Sequence, residues 1–197
     1  MKRRLQQMSN QNQKTALLVM DLQNGIVSNL GDNLEEALVP YQRAINAARE
    51  HAIPVIFVRV GFSEGYPEIS PKNKMFSAIS KYGAMTVNDE ATQIHKLVQP
   101  ETNEPVVTKY RVSAFAGSNL EVILRSQQID TLVLSGISTS GVVLSTLREA
   151  ADKDFKIKVL TDACFDRDPE VHNVLVEKVF PRQADVLTVD NWIGTLD

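Results

Sequence analysis

Cysteine is nearly absent: Cys164 is the only one in 197 residues. No intrachain disulfide and no cysteine-built zinc cluster can therefore form. No apolar run approaches the roughly 18 residues that suggest a membrane span. An excess of positive charge is missing too, since 21 Lys and Arg stand against 24 Asp and Glu, a net charge of −3. That balance argues against a protein built around nucleic-acid phosphates. The three histidines, His51, His95 and His172, have no metal-ligand spacing and lie on or beside polar helix positions. All three are expected at the surface, and neither a metal nor a cofactor is expected.

What is present is ordinary for a globular protein, with 43% hydrophobic and 23% charged residues, enough for one well-buried domain. Residues 1–14 are polar and rich in Gln and Asn. Lys2-Arg3-Arg4 imitates the start of a signal peptide, but no apolar stretch follows. The expectation is a disordered tail of residues 1–14 before a single domain of residues 15–197, located in the cytoplasm.

Six short apolar runs recur along that domain: Thr15 to Leu22, Pro54 to Val60, Pro105 to Tyr110, Asp130 to Ile137, Lys156 to Ala163 and Ala184 to Val189. Several lack alternation, which is how a parallel strand covered on both faces reads. Helical stripes separate them, such as Leu34, Leu38, Tyr41, Ile45 and Ala48, or Val143, Leu144, Leu147 and Ala150. Asp32 with Glu35, Ser118 with Glu121, and Asp168 before Pro169 read as helix starts. The pattern predicts an α/β fold: a three-layer α/β/α arrangement with a doubly wound, mostly parallel six-stranded sheet. The segment from Gly61 to Glu104 breaks the rhythm, holding one weak helix around Glu90 to Val98, and suggests a lid or a self-association surface.

Ligands of such sheets sit at the carboxyl ends of the strands, which yields a short set of candidates. Asp21 ends the first strand, where a carboxylate is costly unless paired; it is either a tuned acid–base group or a turn cap. Lys109 ends the third strand and either holds that carboxylate ionised or is solvated. Ser138, Thr139, Ser140 and Gly141 follow the fourth strand, matching neither a phosphate-binding loop nor a nucleophile elbow. Their backbone N–H groups open a helix and suit an anion, with Ser140 as a simple N-cap the plainer alternative. Cys164, after the fifth strand, is expected in the core.

These segments resemble the isochorismatase-like hydrolases. Ala16 to Asn24 is similar to their first strand with its D-x-Q ending, and Lys109 to Phe115 to their K-x-x-x-S-A-F segment. Ser135 to Thr139 with Ser145 to Ala150, and Thr161 to Cys164, resemble the remaining two motifs in order. The resemblance implies an aspartate, a lysine and a nucleophilic cysteine acting on amide or related bonds. The cysteine's place, six residues after Gly136, is held here by Val142, and valine offers no nucleophile. The Asp-x-His of the zinc-binding nicotinamidase branch is missing after Arg59-Val60-Gly61. The expectation is a thiol-independent hydrolase acting on a small, anionic molecule through an enol ether or amide-type bond. Asp21 and Lys109 would be catalytic, with Gln23, Phe115, Ser138, Thr139, Gly141 and Val142 around the substrate. The alternative is an impaired member that only binds a small ligand. A homo-oligomer, dimer or tetramer, is expected in either case.

Overall fold

Apolar runs without alternation form strands when both faces are covered, and all six runs do so. The computed structural model describes residues 14–31 and 33–196. Its strands are β1 (Thr15–Met20), β2 (Val55–Val60), β3 (Val106–Lys109), β4 (Thr131–Ile137), β5 (Lys156–Phe165) and β6 (Asp185–Leu187). Every pairing is parallel, in the order β3-β2-β1-β4-β5-β6. The direction of winding reverses between β1 and β4, so the switch-point crevice lies beyond the carboxyl ends of those two strands.

The helices are α1 (Asn24–Val27), α2 (Leu34–Glu50), α3 (Ser77–Tyr82), α4 (Leu120–Ser126), α5 (Leu144–Asp152), α6 (Pro169–Val174) and α7 (Val189–Ile193). On one face of the sheet, Leu38, Tyr41 and Ala48 of α2 and Trp192 of α7 pack on Leu17, Val19 and Phe57. On the other, Leu120 and Leu124 of α4 and Leu147 and Ala150 of α5 pack on Leu18, Met20, Val58 and Leu134. Each buried Leu, Val, Met or Phe among them contributes about 1.5–3 kcal/mol. The strand interiors are dry on both sides, and none of the helices among the described residues is long and apolar enough to cross a membrane.

Lys14, which the sequence assigns to the tail, is tied to the sheet, its carbonyl accepting from the N–H groups of Asp130 and Thr131. The rest of the predicted tail and the Asp32 cap lie outside the described residues. Asp168 caps α6 as predicted, accepting from the N–H groups of Glu170 and Val171. Ser118 and Glu121 do not form a reciprocal box: Ser118 Oγ accepts from Leu120 N–H, while Glu121 bonds Lys153 at 2.7 Å.

The irregular segment contains α3 but no helix from Glu90 to Val98. Two separate 3-10 turns stand there, Glu90–Thr92 and Lys96–Val98. Side chains compete with helix formation at this point. Asp89 accepts from Thr86 N–H, the His95 ring accepts from Leu97 N–H, and Gln93 donates to the carbonyls of Val87 and Asp89. A small apolar cluster of Val60, Phe62 and Phe76 anchors the segment over the ends of β2 and β3.

Candidate active site

β1 ends where Met20 pairs with Val58 on one side and Gly136 on the other. A Cβ at Gly136 would stand 2.5 Å from the Met20 carbonyl oxygen, so only glycine lets β4 approach β1 this closely. Asp21 follows with φ 60°, a left-handed conformation uncommon outside glycine. Its N–H still donates to Val58 O at 2.8 Å, so the turn redirects the side chain without releasing the sheet edge. Such local strain, held by surrounding bonds, is characteristic of functional positions.

Lys109 ends β3, two strands from β1, and pairs with Val60 of the intervening β2, so its long stem spans the end of β2. Its ammonium stands 2.9 Å from Asp21 Oδ2 and donates to Arg111 O at 3.0 Å. Both residues are buried, at 5% and 2% exposure. Burial pushes the Asp21 carboxyl above its ordinary range; the charge and hydrogen bond of Lys109 oppose this but do not cancel it. Asp21 Oδ1 is buried with no hydrogen-bond partner among the described residues. An ammonium carries three hydrogens, and two are accounted for here. The pair therefore offers unfilled accepting and donating capacity at the switch point.

Two of the sequence motifs explain how Lys109 is held. Thr146 Oγ1 accepts from Ala114 N–H at 2.9 Å, and Ser113 Oγ donates to Glu149 at 2.6 Å. The chain after β3 is thus pinned along α5. Phe115, expected beside the substrate, instead points down this helix, with its ring 6.0 Å from that of Phe155 and the Lys153 ammonium 5.6 Å above it. It is a core residue.

Gln23 is held within the protein. Its amide donates to Val60 O and Thr92 O and accepts from Val60 N–H. Both amide hydrogens and one lone pair of the oxygen are used in stitching β1 to β2 and the irregular segment. Thr139 is fully buried, and its hydroxyl lies 2.8 Å from His172 Nδ1. His172 is therefore half-buried rather than a surface histidine. Gly141 N–H already donates to Ser138 O, and Ser140 is no N-cap, because it lies inside the helical turn Thr139–Val143, whose cap position is Ser138; its N–H donates to Asp166 at 2.7 Å. Val142 is 2% exposed and belongs to the same apolar cluster as Met20, Val58 and Ala114.

Ser138 lines a cavity of about 290 Å³ at the ends of β4 and β5. Ile26, Leu30, Ile137 and Phe165 form its apolar wall. Asp166 and Arg167 supply its charges. Asp21, Lys109 and Val142 are not among the lining residues. Two hollows of about 720 and 740 Å³ lie at the opposite, amino-terminal edge of the sheet, away from the carboxyl ends where this fold binds ligands. Sequence reasoning missed Asp166, Arg167 and His172, although the two residues after β5 stand where the topology rule would have pointed. Cys164 is in the core as expected, with burial pushing its thiol up to about 12.

Residues 15–191 match the isochorismatase domain. The chain belongs to the isochorismatase family. It is 32% identical over 185 residues to the uncharacterized isochorismatase family protein YecD of Escherichia coli O157:H7, covering 92% of this chain and 96% of that one. It is 32% identical over 165 residues to N-carbamoylsarcosine amidase of an Arthrobacter species, covering 82% of this chain and 62% of the amidase. Among solved structures, an isochorismatase family protein from Burkholderia thailandensis superimposes with a TM-score of 0.81 at 27% identity, covering 94% and 96% of the two chains. Membership places this protein among the isochorismatase-family hydrolases.

Proposed function

We propose that this isochorismatase-family protein is a thiol-independent hydrolase of a small, anionic molecule, cleaving an amide-type or enol ether bond. The observation that carries the reading is the buried Asp21–Lys109 pair, 2.9 Å apart, with Asp21 Oδ1 unpartnered among the described residues. For an amide, Asp21 takes a proton from water, the hydroxide adds to the carbonyl carbon, and the protonated Asp21 returns its proton to the leaving nitrogen. Lys109 keeps Asp21 ionised between turnovers and meets negative charge on the carbonyl oxygen. For an enol ether, protonated Asp21 delivers its proton to the alkene carbon, water adds to the resulting oxocarbenium and returns a proton to Asp21, and the hemiketal collapses to a carbonyl compound and the leaving alcohol. The amide route gains support from the amidase relative. A cytoplasmic enzyme that self-associates as a dimer or tetramer completes the proposal. Met75 and Tyr82, 62% and 84% exposed on the irregular segment, suit such a contact, and sedimentation velocity of the full chain reads it directly.

A second reading is favoured by the burial of Val142: an impaired member whose crevice only holds a ligand. A panel of small amides, N-carbamoyl acids and enol ethers separates the two. Wild-type turnover that falls by about 10²–10⁴ in Asp21→Asn, with far-UV circular dichroism unchanged, supports hydrolysis without a thiol. Turnover confined to Val142→Cys, or none in any variant, supports the impaired member.

A further inference from the structure

The Lys109 ammonium meets two acceptors, Asp21 Oδ2 at 2.9 Å and Arg111 O at 3.0 Å. Its hydrogens are tetrahedrally disposed, so two fixed acceptors determine where the third hydrogen points. Asp21 is anchored by its own N–H to the sheet edge. The Arg111 carbonyl has no such support, since residues 110–112 lie past the last ladder pair of β3, Lys109 with Val60. What holds this stretch is the Arg111 side chain. Its Nη1 donates to Tyr110 O at 2.5 Å and its Nη2 to Glu68 O at 2.9 Å, two bonds from one planar group. The Glu68 end is secured in turn, because its carboxylate accepts from Ser63 Oγ at 2.5 Å and from Ser63 N–H at 3.3 Å. Burial would raise that carboxyl, but the hydrogen bonds and the Arg111 charge hold it below its ordinary value. The guanidinium therefore links the irregular segment to the second acceptor of the ammonium.

We infer that Arg111 is a positioning residue: it fixes the carbonyl that orients the Lys109 ammonium, and so aims the remaining hydrogen of that ammonium at the substrate. Arg111 itself acts only through Lys109. Because its fork reaches Glu68, the aim of the ammonium depends on how the irregular segment is seated, and displacement of that segment lets the ammonium swing. Small errors of aim are costly when a charged donor must meet a developing charge. The consequence for turnover rests on the proposed hydrolysis, whereas the orientation of Lys109 does not.

Carbon-13 NMR of the full-length protein labelled at its aspartate carboxyls tests this, with the Asp21 signal assigned by its loss in Asp21→Asn. Lys109 opposes the rise that burial imposes on Asp21, so an ammonium free to swing lets that carboxyl titrate higher. Arg111→Met keeps an apolar stem and removes both donors, and is expected to move the Asp21 titration upward. Arg111→Lys keeps the charge but offers a point donor in place of a fork, and should retain part of the upward shift. If Arg111→Met fails to fold, Arg111→Lys decides alone. A residue that only stabilised its loop would lower the melting temperature and leave Asp21 where it was. On the best substrate of the amide panel, Arg111→Met should lower kcat about 10–100-fold and change KM by less than about threefold. Absence of turnover in wild type defeats the proposed hydrolysis, while the titration still decides the role of Arg111. An Asp21 titration that stays in place, an unchanged kcat in Arg111→Met, or full recovery in Arg111→Lys, which assigns the effect to charge alone, each overturns the inference.

Discussion

Asp21 and Lys109 remove two charges from water, and their contact offsets that cost only while both are present. Lys109→Met leaves a buried carboxylate with neither its counter-ion nor a second donor. It should destabilise the protein by about 3–5 kcal/mol at neutral pH. The sign of the pH dependence follows from the direction of the Asp21 shift. A carboxyl raised by burial favours the protonated folded form, so its stabilising contribution is present below the unfolded pKa and lost as pH rises through the folded one. Removing Lys109 raises that folded pKa further, so the deficit should be smaller in urea melts at about pH 4.5 than at about pH 7, by up to about 1.4 kcal/mol per pH unit. Kinetics carry the same signature. If Asp21 is the base, the acidic limb of kcat/KM lies above the ordinary carboxylate range, and a Lys109 variant that retains turnover moves it higher. A limb that stays in place assigns the titration to another group.

The strands were the most legible elements, because a run such as Ala16-Leu17-Leu18-Val19-Met20 has both faces dry and leaves no ambiguity of period. The helix starts were less so. Asp168 needed only its own backbone neighbours to cap α6, whereas the reciprocal partner of Ser118 was lost because Glu121 is drawn to Lys153, 32 residues away. The same distinction governs the site. Asp21 and Lys109 could be read because strand ends are set by topology, and the pair meets where two parallel strands diverge. The orientations of Gln23 and Phe115 could not be read. Their roles depend on whether a side chain turns toward the crevice or away from it, and that is decided by contacts with Val60, Thr92 and Phe155. His172 was hidden for a related reason: its partner Thr139 lies 33 residues earlier, and no local pattern announces a bond across that gap.

At the scale of the whole molecule, the position of Cys164 makes the thiol a reporter of sheet integrity. β5 runs between β4 and β6, with Cys164 paired to Gly136, and the sulfur is buried beneath the cluster that includes Val142 and Leu175. With its thiol raised to about 12 by burial, the native protein presents almost no thiolate to a labelling reagent at pH 8. Modification must then proceed through opening of the structure. The labelling rate should rise with urea, and its slope identifies the unit that opens. A slope equal to the equilibrium m-value means that the doubly wound sheet opens as one cooperative body. A clearly smaller slope means that the three-residue β6 and α7 detach from β5 on their own. Labelling in native buffer at the rate of a free cysteine contradicts the buried placement. Loss of turnover at that same rate would put the sulfur into the chemistry and displace Asp21 from its proposed role.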